Sequence, residues 1–137
     1  MNPSLALQQE KKEKTILIVD DEPSIIEIVS RLLDLDLFNI LTAGSGADAL
    51  RQSREYPDEI HLLLTDFQMP RMSGMVLATR MTVERPALKV LLMSGFTDGM
   101  HLLNEGWHFL PKPFVASQLR ALVEGLVFPD KRSRFAT

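Results

Sequence analysis

The sequence predicts an α/β fold, a doubly wound five-stranded parallel sheet with helices on both faces. Short apolar runs recur along the chain, each about one buried strand long, with helix-spaced stretches between them. Strand and helix alternate five times with no internal repeat or low-complexity tract, the pattern of successive parallel β-α units. Four of the runs end in a polar residue. Ile16-Leu17-Ile18-Val19 leads into Asp20-Asp21, and Leu62-Leu63-Leu64-Thr65 into Asp66. Val90-Leu91-Leu92-Met93 leads into Ser94, and Phe109-Leu110-Pro111 into Lys112. Open α/β sheets bind ligands beyond the carboxyl ends of their strands. Three carboxylates, a hydroxyl and an ammonium should therefore meet at one edge of one sheet.

Each element can be justified in turn. Residues 1–13 are mostly polar and read as a mobile N-terminal arm. The first strand is expected from about Thr15 to Asp20. Pro23 suits a first helical position, whose amide has no intrahelical partner. Ile25, Ile28, Val29, Leu32 and Leu33 follow at the spacing of a core-facing stripe. Asp34 and Asp36 beyond it read as solvated.

The second strand is expected from Phe38 to Ala43. Ser45 and Asp48 resemble a capping box with Asp in place of Glu, opening a helix that Pro57 ends. The third strand spans about Ile60 to Asp66. A loop through Pro70 and Gly74 then leads to a helix bearing Val76, Leu77, Arg80 and Met81, closed by Pro86. The fourth strand is Leu88 to Met93. Gly95, Gly99 and Gly106 leave room for only a short helix near Met100 to Asn104. The fifth strand is His108 to Leu110. The last helix carries Val115, Leu119, Leu122, Val123 and Leu126, and Pro129 stops it.

At 137 residues the chain should form one folded domain over 14–127, with 128–137 as a tail or linker. A net charge of −3 gives no electrostatic reason to expect nucleic-acid or membrane partners. The absence of cysteine excludes disulfides and thiolate metal sites. No apolar stretch reaches the roughly 20 residues of a membrane span, and no basic segment leads into a signal-like run. A cytoplasmic address is the default expectation. Gly44-Ser45-Gly46 lacks the lysine and spacing of a phosphate loop. His61, His101 and His108 lack metal-ligand spacing and read as structural or exposed. Met69 and Met72 are placed to shape the mouth of a pocket.

Asp20, Asp21 and Asp66 suit a hard divalent cation, above all Mg²⁺. Clustered without a metal they would repel one another, and at least one pKa should rise. With Lys112 beside them, one divalent cation would neutralise the group. Asp66 is a candidate nucleophile, since a carboxylate can form an acyl phosphate. Phosphoryl transfer needs little beyond positioning and charge neutralisation, and Ser94 could donate a hydrogen bond to a phosphoryl oxygen.

Taken together and in order, Asp20-Asp21, Asp66-Phe67-Gln68-Met69-Pro70 with Gly74, Ser94-Gly95 and Lys112-Pro113-Phe114 resemble the receiver domain of two-component response regulators. The resemblance covers about Lys14 to Leu126. It implies a flavodoxin-like, chemotaxis-regulator-like fold with strand order 2-1-3-4-5. It also implies a signalling domain, not an enzyme with an external substrate, that assists its own phosphorylation and dephosphorylation.

In that family the aspartate matching Asp66 takes phosphate from a histidine kinase or histidine phosphotransfer protein. The acid matching Asp21 contacts Mg²⁺ directly and that matching Asp20 largely through water, while the backbone carbonyl at Gln68 completes the protein ligands. The hydroxyl matching Ser94 and the aromatic matching Phe109 form the switch. The peptide before Pro113 is expected to be cis. An output partner or a phosphorylation-dependent dimer is implied as well.

Two departures stand out. The stretch from Ser94 to Lys112 is about one helical turn shorter than is typical, so the fourth helix should be truncated. Gln68 and Phe96 occupy positions that tune phosphate lifetime, and the bulk of Phe96 predicts restricted attack by water. Two competing functions are an aspartyl phosphohydrolase and a scaffold with a dead pocket. The first usually spaces its acids two apart after the first strand, and the second does not need the full pocket set.

Overall fold

The computed structural model describes residues 14–33, 37–95 and 106–129. In chain order these form β1 (Lys14–Val19), α1 (Pro23–Leu32), β2 (Phe38–Ala43), α2 (Gly46–Glu55), β3 (Leu62–Asp66), α3 (Gly74–Glu84), β4 (Lys89–Ser94), β5 (Trp107–Pro111) and α4 (Ala116–Val127). The five strands form one parallel sheet in the order β2-β1-β3-β4-β5, as the sequence predicts. Adjacent parallel strands cannot be joined by tight turns, which is why each crossover carries a helix or a long connection.

The apolar strand residues serve both faces by turns. Ile16, Ile18, Leu62, Leu64, Leu91 and Met93 face α1 and α4, packing with Val29, Leu119 and Val123. Leu17, Val19, Leu63, Val90 and Leu92 face α2 and α3, packing with Ala49, Leu77 and Met81. A period of two inside a continuous apolar run is what a sheet covered on both sides requires.

Two expected core positions turn outward. Ile28 is 53% exposed, because Val29 is the centre of the buried face of α1 and its immediate neighbour lies about 100° around the helix. Ile25, Ile26, Leu32 and Leu33 flank Val29 more closely and pack inward. Val115 is 60% exposed, since it is the extended N-cap residue of α4 and not part of its stripe. The Val115 amide there donates to the Gln118 Oε1 at 3.0 Å.

The Ser45 hydroxyl accepts from the Asp48 amide at 3.1 Å, as the cap reading expects. The Asp48 carboxylate is taken up by the Arg51 and Gln52 side chains. Four helices occur among the described residues. The short helix expected near Met100 to Asn104 lies outside them, as do Phe96, His101, Asp34, Asp36, the 1–13 arm and the tail from 130 onward. No helix among the described residues is long and apolar enough to cross a membrane.

Candidate functional site

The backbone ladder carries the polar residues to the sheet edge. Asp20 N donates to Ala43 O at 3.2 Å, one rung past the end of β1. Phe67 N donates to Met93 O and Lys112 N to Ser94 O, both at 2.7 Å. Val19 pairs with Thr65, so the next rung sets Asp20 beside Asp66. Asp66 pairs with Met93, and Ser94 with Pro111, which puts Ser94 and Lys112 next along the same edge. Sheet hydrogen bonds thus anchor the backbone from which these side chains project.

Carboxylate oxygens of Asp20, Asp21 and Asp66 lie within 4.8 Å of one another. Asp20 is buried, Asp66 half-buried and Asp21 exposed, so the cluster opens to solvent on one side. Lys112 Nζ lies 3.2 Å from Asp66 Oδ1. The Lys112–Pro113 peptide is cis, in keeping with the expectation. Ser94 is buried, at 2% exposure, and Phe109 is half-buried against the α2–α3 side of the core. Gln68 lies exposed in the loop after β3.

Asp20 carries the electrostatic cost of the cluster. Its Oδ1 accepts from the Glu22 amide at 2.9 Å, whereas its buried Oδ2 has no hydrogen-bond partner among the described residues. Burial, with the charges of Asp66 and Asp21 added, pushes its pKa up to about 6. The Glu22 amide and the Lys112 ammonium only partly offset this. A buried, partnerless carboxylate oxygen beside two further carboxylates fits a small oxygen-seeking cation. The donor set therefore suits Mg²⁺.

Beside the carboxylates a cavity of about 340 Å³ opens between the β2–α2 turn and the loop after β3, lined by Asp21, Ser45, Met69, Arg71 and Met72. Met69 and Met72 thus shape the mouth, as their sequence positions imply. Arg71 holds a left-handed backbone at φ 69°, a conformation uncommon outside glycine. No local sequence signal announces it.

The model of the response regulator receiver domain matches residues 16–124, which includes every residue of this cluster. The chain belongs to that family. Receiver domains are signalling domains of two-component systems that bind Mg²⁺ at an acidic pocket and interact with histidine kinases and phosphotransfer proteins. Among similar sequences, the probable transcriptional regulatory protein TcrX of Mycobacterium tuberculosis is 36% identical over 80% of this chain and 49% of its own length. The sensor kinase CckA of Brucella abortus is 28% identical over 90% of this chain but only 14% of its own. The chain therefore spans about half or less of these curated relatives.

Among solved structures, a response regulator receiver domain protein from Clostridium thermocellum matches with a TM-score of 0.76 at 27% identity, covering 88% of this chain and 98% of that one. The receiver domain of the hybrid histidine kinase CckA matches with a TM-score of 0.72 at 29% identity, covering 82% and 98%.

Proposed function

We propose that this receiver domain is a phosphoacceptor: Asp66 takes a phosphoryl group from a histidine kinase or histidine phosphotransfer protein, and the change switches a surface for a partner. The observation that carries the reading is the meeting of Asp20, Asp21 and Asp66 with Lys112 at one sheet edge, where Asp20 Oδ2 has no partner among the described residues. An oxygen of the Asp66 carboxylate attacks phosphorus, the phosphorus–nitrogen bond to the donor imidazole breaks, and an acyl phosphate forms.

Asp20, Asp21, Asp66 and the backbone carbonyl of Gln68 would hold Mg²⁺, which when bound supplies positive charge to the phosphoryl oxygens. Lys112, whose Nζ lies 3.2 Å from Asp66 Oδ1 and whose amide is held by Ser94 O, would supply a second positive charge. Ser94 would donate its hydroxyl hydrogen to a phosphoryl oxygen, and Phe109 would answer by changing rotamer. Lacking a hydroxyl, Phe109 would choose between rotamers by packing alone. The same groups assist hydrolysis of the acyl phosphate. The working unit is residues 14–127, flanked by an N-terminal arm and a C-terminal tail or linker, and its place is the cytoplasm.

Intact mass after incubation with acetyl phosphate and Mg²⁺ tests the assignment. The wild type should gain one phosphoryl group and Asp66→Ala none. An adduct that persists in Asp66→Ala would move the acceptor elsewhere.

A further inference from the structure

The loop between β3 and α3 returns onto the residue it leaves, and two glycines permit the approach. A β-carbon on Gly74 would overlap the Asp66 carbonyl oxygen and stand 3.0 Å from its carbon and 3.1 Å from Phe67 Cα. All three are backbone atoms, so no side chain can step aside. The Gly74 amide also donates to Phe67 O at 2.8 Å, drawing the start of α3 against the acceptor's own peptide. At the far side of the loop, a β-carbon on Gly46 would lie 2.6 Å from Met72 Sδ, 2.9 Å from Cγ and 3.0 Å from Cβ. Immediately before Met72, Arg71 holds its left-handed turn. A non-glycine residue keeps such a conformation only where its surroundings over-determine it.

We infer that Gly46 and Gly74 are positioning residues for the phosphoacceptor: they seat the loop from Phe67 to Ser73 on α2 and on the Asp66 backbone, setting Asp66 at its distance from Asp20 and Asp21. The inference rests on the reading of Asp66 given above. Asp20 is tied to β2 by its own ladder bond, so a push on the Asp66 backbone through the loop does not bear on it directly. Three carboxylates that share a 4.8 Å cluster lose a common ligand position when one is displaced. Disturbing the groups that orient metal ligands typically weakens metal binding about 10-fold to 100-fold. The two glycines differ in one testable respect. The obstacle at Gly46 is a side chain and can be shortened, whereas the obstacle at Gly74 is backbone and cannot.

The experiment is a Mg²⁺ titration of the full chain followed by amide NMR shifts, with no phosphodonor present. It compares wild type, Gly74→Ala, Gly46→Ala, Met72→Ala, the Gly46→Ala/Met72→Ala pair, and Arg80→Gly. Arg80 is exposed on α3, so glycine there weakens the helix without adding bulk at the loop. Both single alanine variants should keep the fold by circular dichroism and bind Mg²⁺ about 10-fold to 100-fold more weakly. Adding Met72→Ala should relieve most of the Gly46→Ala loss, a coupling that a double-mutant cycle isolates. Arg80→Gly should melt lower yet bind as wild type.

Wild-type affinity in folded Gly74→Ala overturns the inference, as does an equal loss in Arg80→Gly. Should Gly74→Ala fail to fold, the Gly46 pair decides: no loss in the single variant, or a loss that Met72→Ala leaves untouched, overturns it. A wild type that binds no Mg²⁺ removes the reading of the site itself, and the inference with it.

Discussion

Asp20 shows how one residue can serve a site at the expense of the fold. Its carboxylate is buried with one oxygen unpartnered, and its pKa is raised to about 6. The sign follows from linkage. A raised folded-state pKa means the folded protein holds the proton more tightly than the unfolded chain does. Ionisation therefore costs nothing below the ordinary aspartate range, costs more as pH rises toward about 6, and is fully unfavourable at neutral pH. In the metal-free domain Asp20→Asn should stabilise at neutral pH by up to about 3 kcal/mol, read from urea unfolding. A variant no more stable than wild type would contradict that cost.

Asp20 and its partners were legible because each polar residue ends an apolar run and strand ends are where such a sheet gathers ligands. Arg85 was not legible. Its guanidinium donates to Ser53 Oγ and to the carbonyls of Ser53, Tyr56 and Asp58, at 2.8 to 3.0 Å, closing the end of α2 from the end of α3. Backbone carbonyls about thirty residues away leave no mark in a sequence. The contact of Met72 with Gly46 was hidden for the same reason.

Among the elements, the seam between β1 and β3 holds a polar arrangement at the sheet edge opposite the site. Thr15 N donates to His61 Nδ1 at 3.0 Å, and His61 N donates to Thr15 O at 2.9 Å. The ring must stay unprotonated at Nδ1 to accept that bond. Burial holds its pKa below the usual histidine range, and Lys14 adds to this while Glu59, 3.5 Å from Nε2, opposes it. A lowered folded-state pKa means the unfolded chain takes up the proton first as pH falls. Stability present at mildly alkaline pH is thus lost as pH drops through the ordinary histidine range.

Unfolding free energy compared between wild type and His61→Gln from about pH 8 to about pH 5 isolates this contribution, since the glutamine oxygen can still accept. The wild type should lose stability relative to the variant across that interval. Parallel curves would show that the His61 ring does not titrate with folding. Strand positions were read to within two residues because buried parallel strands are nearly all apolar. Helix faces were read less well. At Ile28 and Val115 apolar identity alone could not tell the centre of a stripe from its margin or its cap.

At the scale of the molecule, the site joins the carboxyl ends of β1, β3, β4 and β5, so anything bound there ties most of the sheet together. A ligand that binds only the folded state stabilises it by mass action. Mg²⁺ held by Asp20, Asp21 and Asp66 should therefore raise the melting temperature steadily with its logarithmic concentration. Beyond the dissociation constant, each tenfold rise adds about 1.4 kcal/mol. Salt screening is the competing cause, although the whole chain carries only −3 and its net charge gives any electrolyte little to screen. A Mg²⁺ series at constant ionic strength separates the two. Wild type should climb, while Asp20→Asn, starting from a higher melting temperature, should stay flat until the curves cross. Equal slopes would mean that the cation acts by general screening and not at the carboxylate cluster. A crossing would show that the same buried oxygen which weakens the empty fold makes the loaded one the more stable.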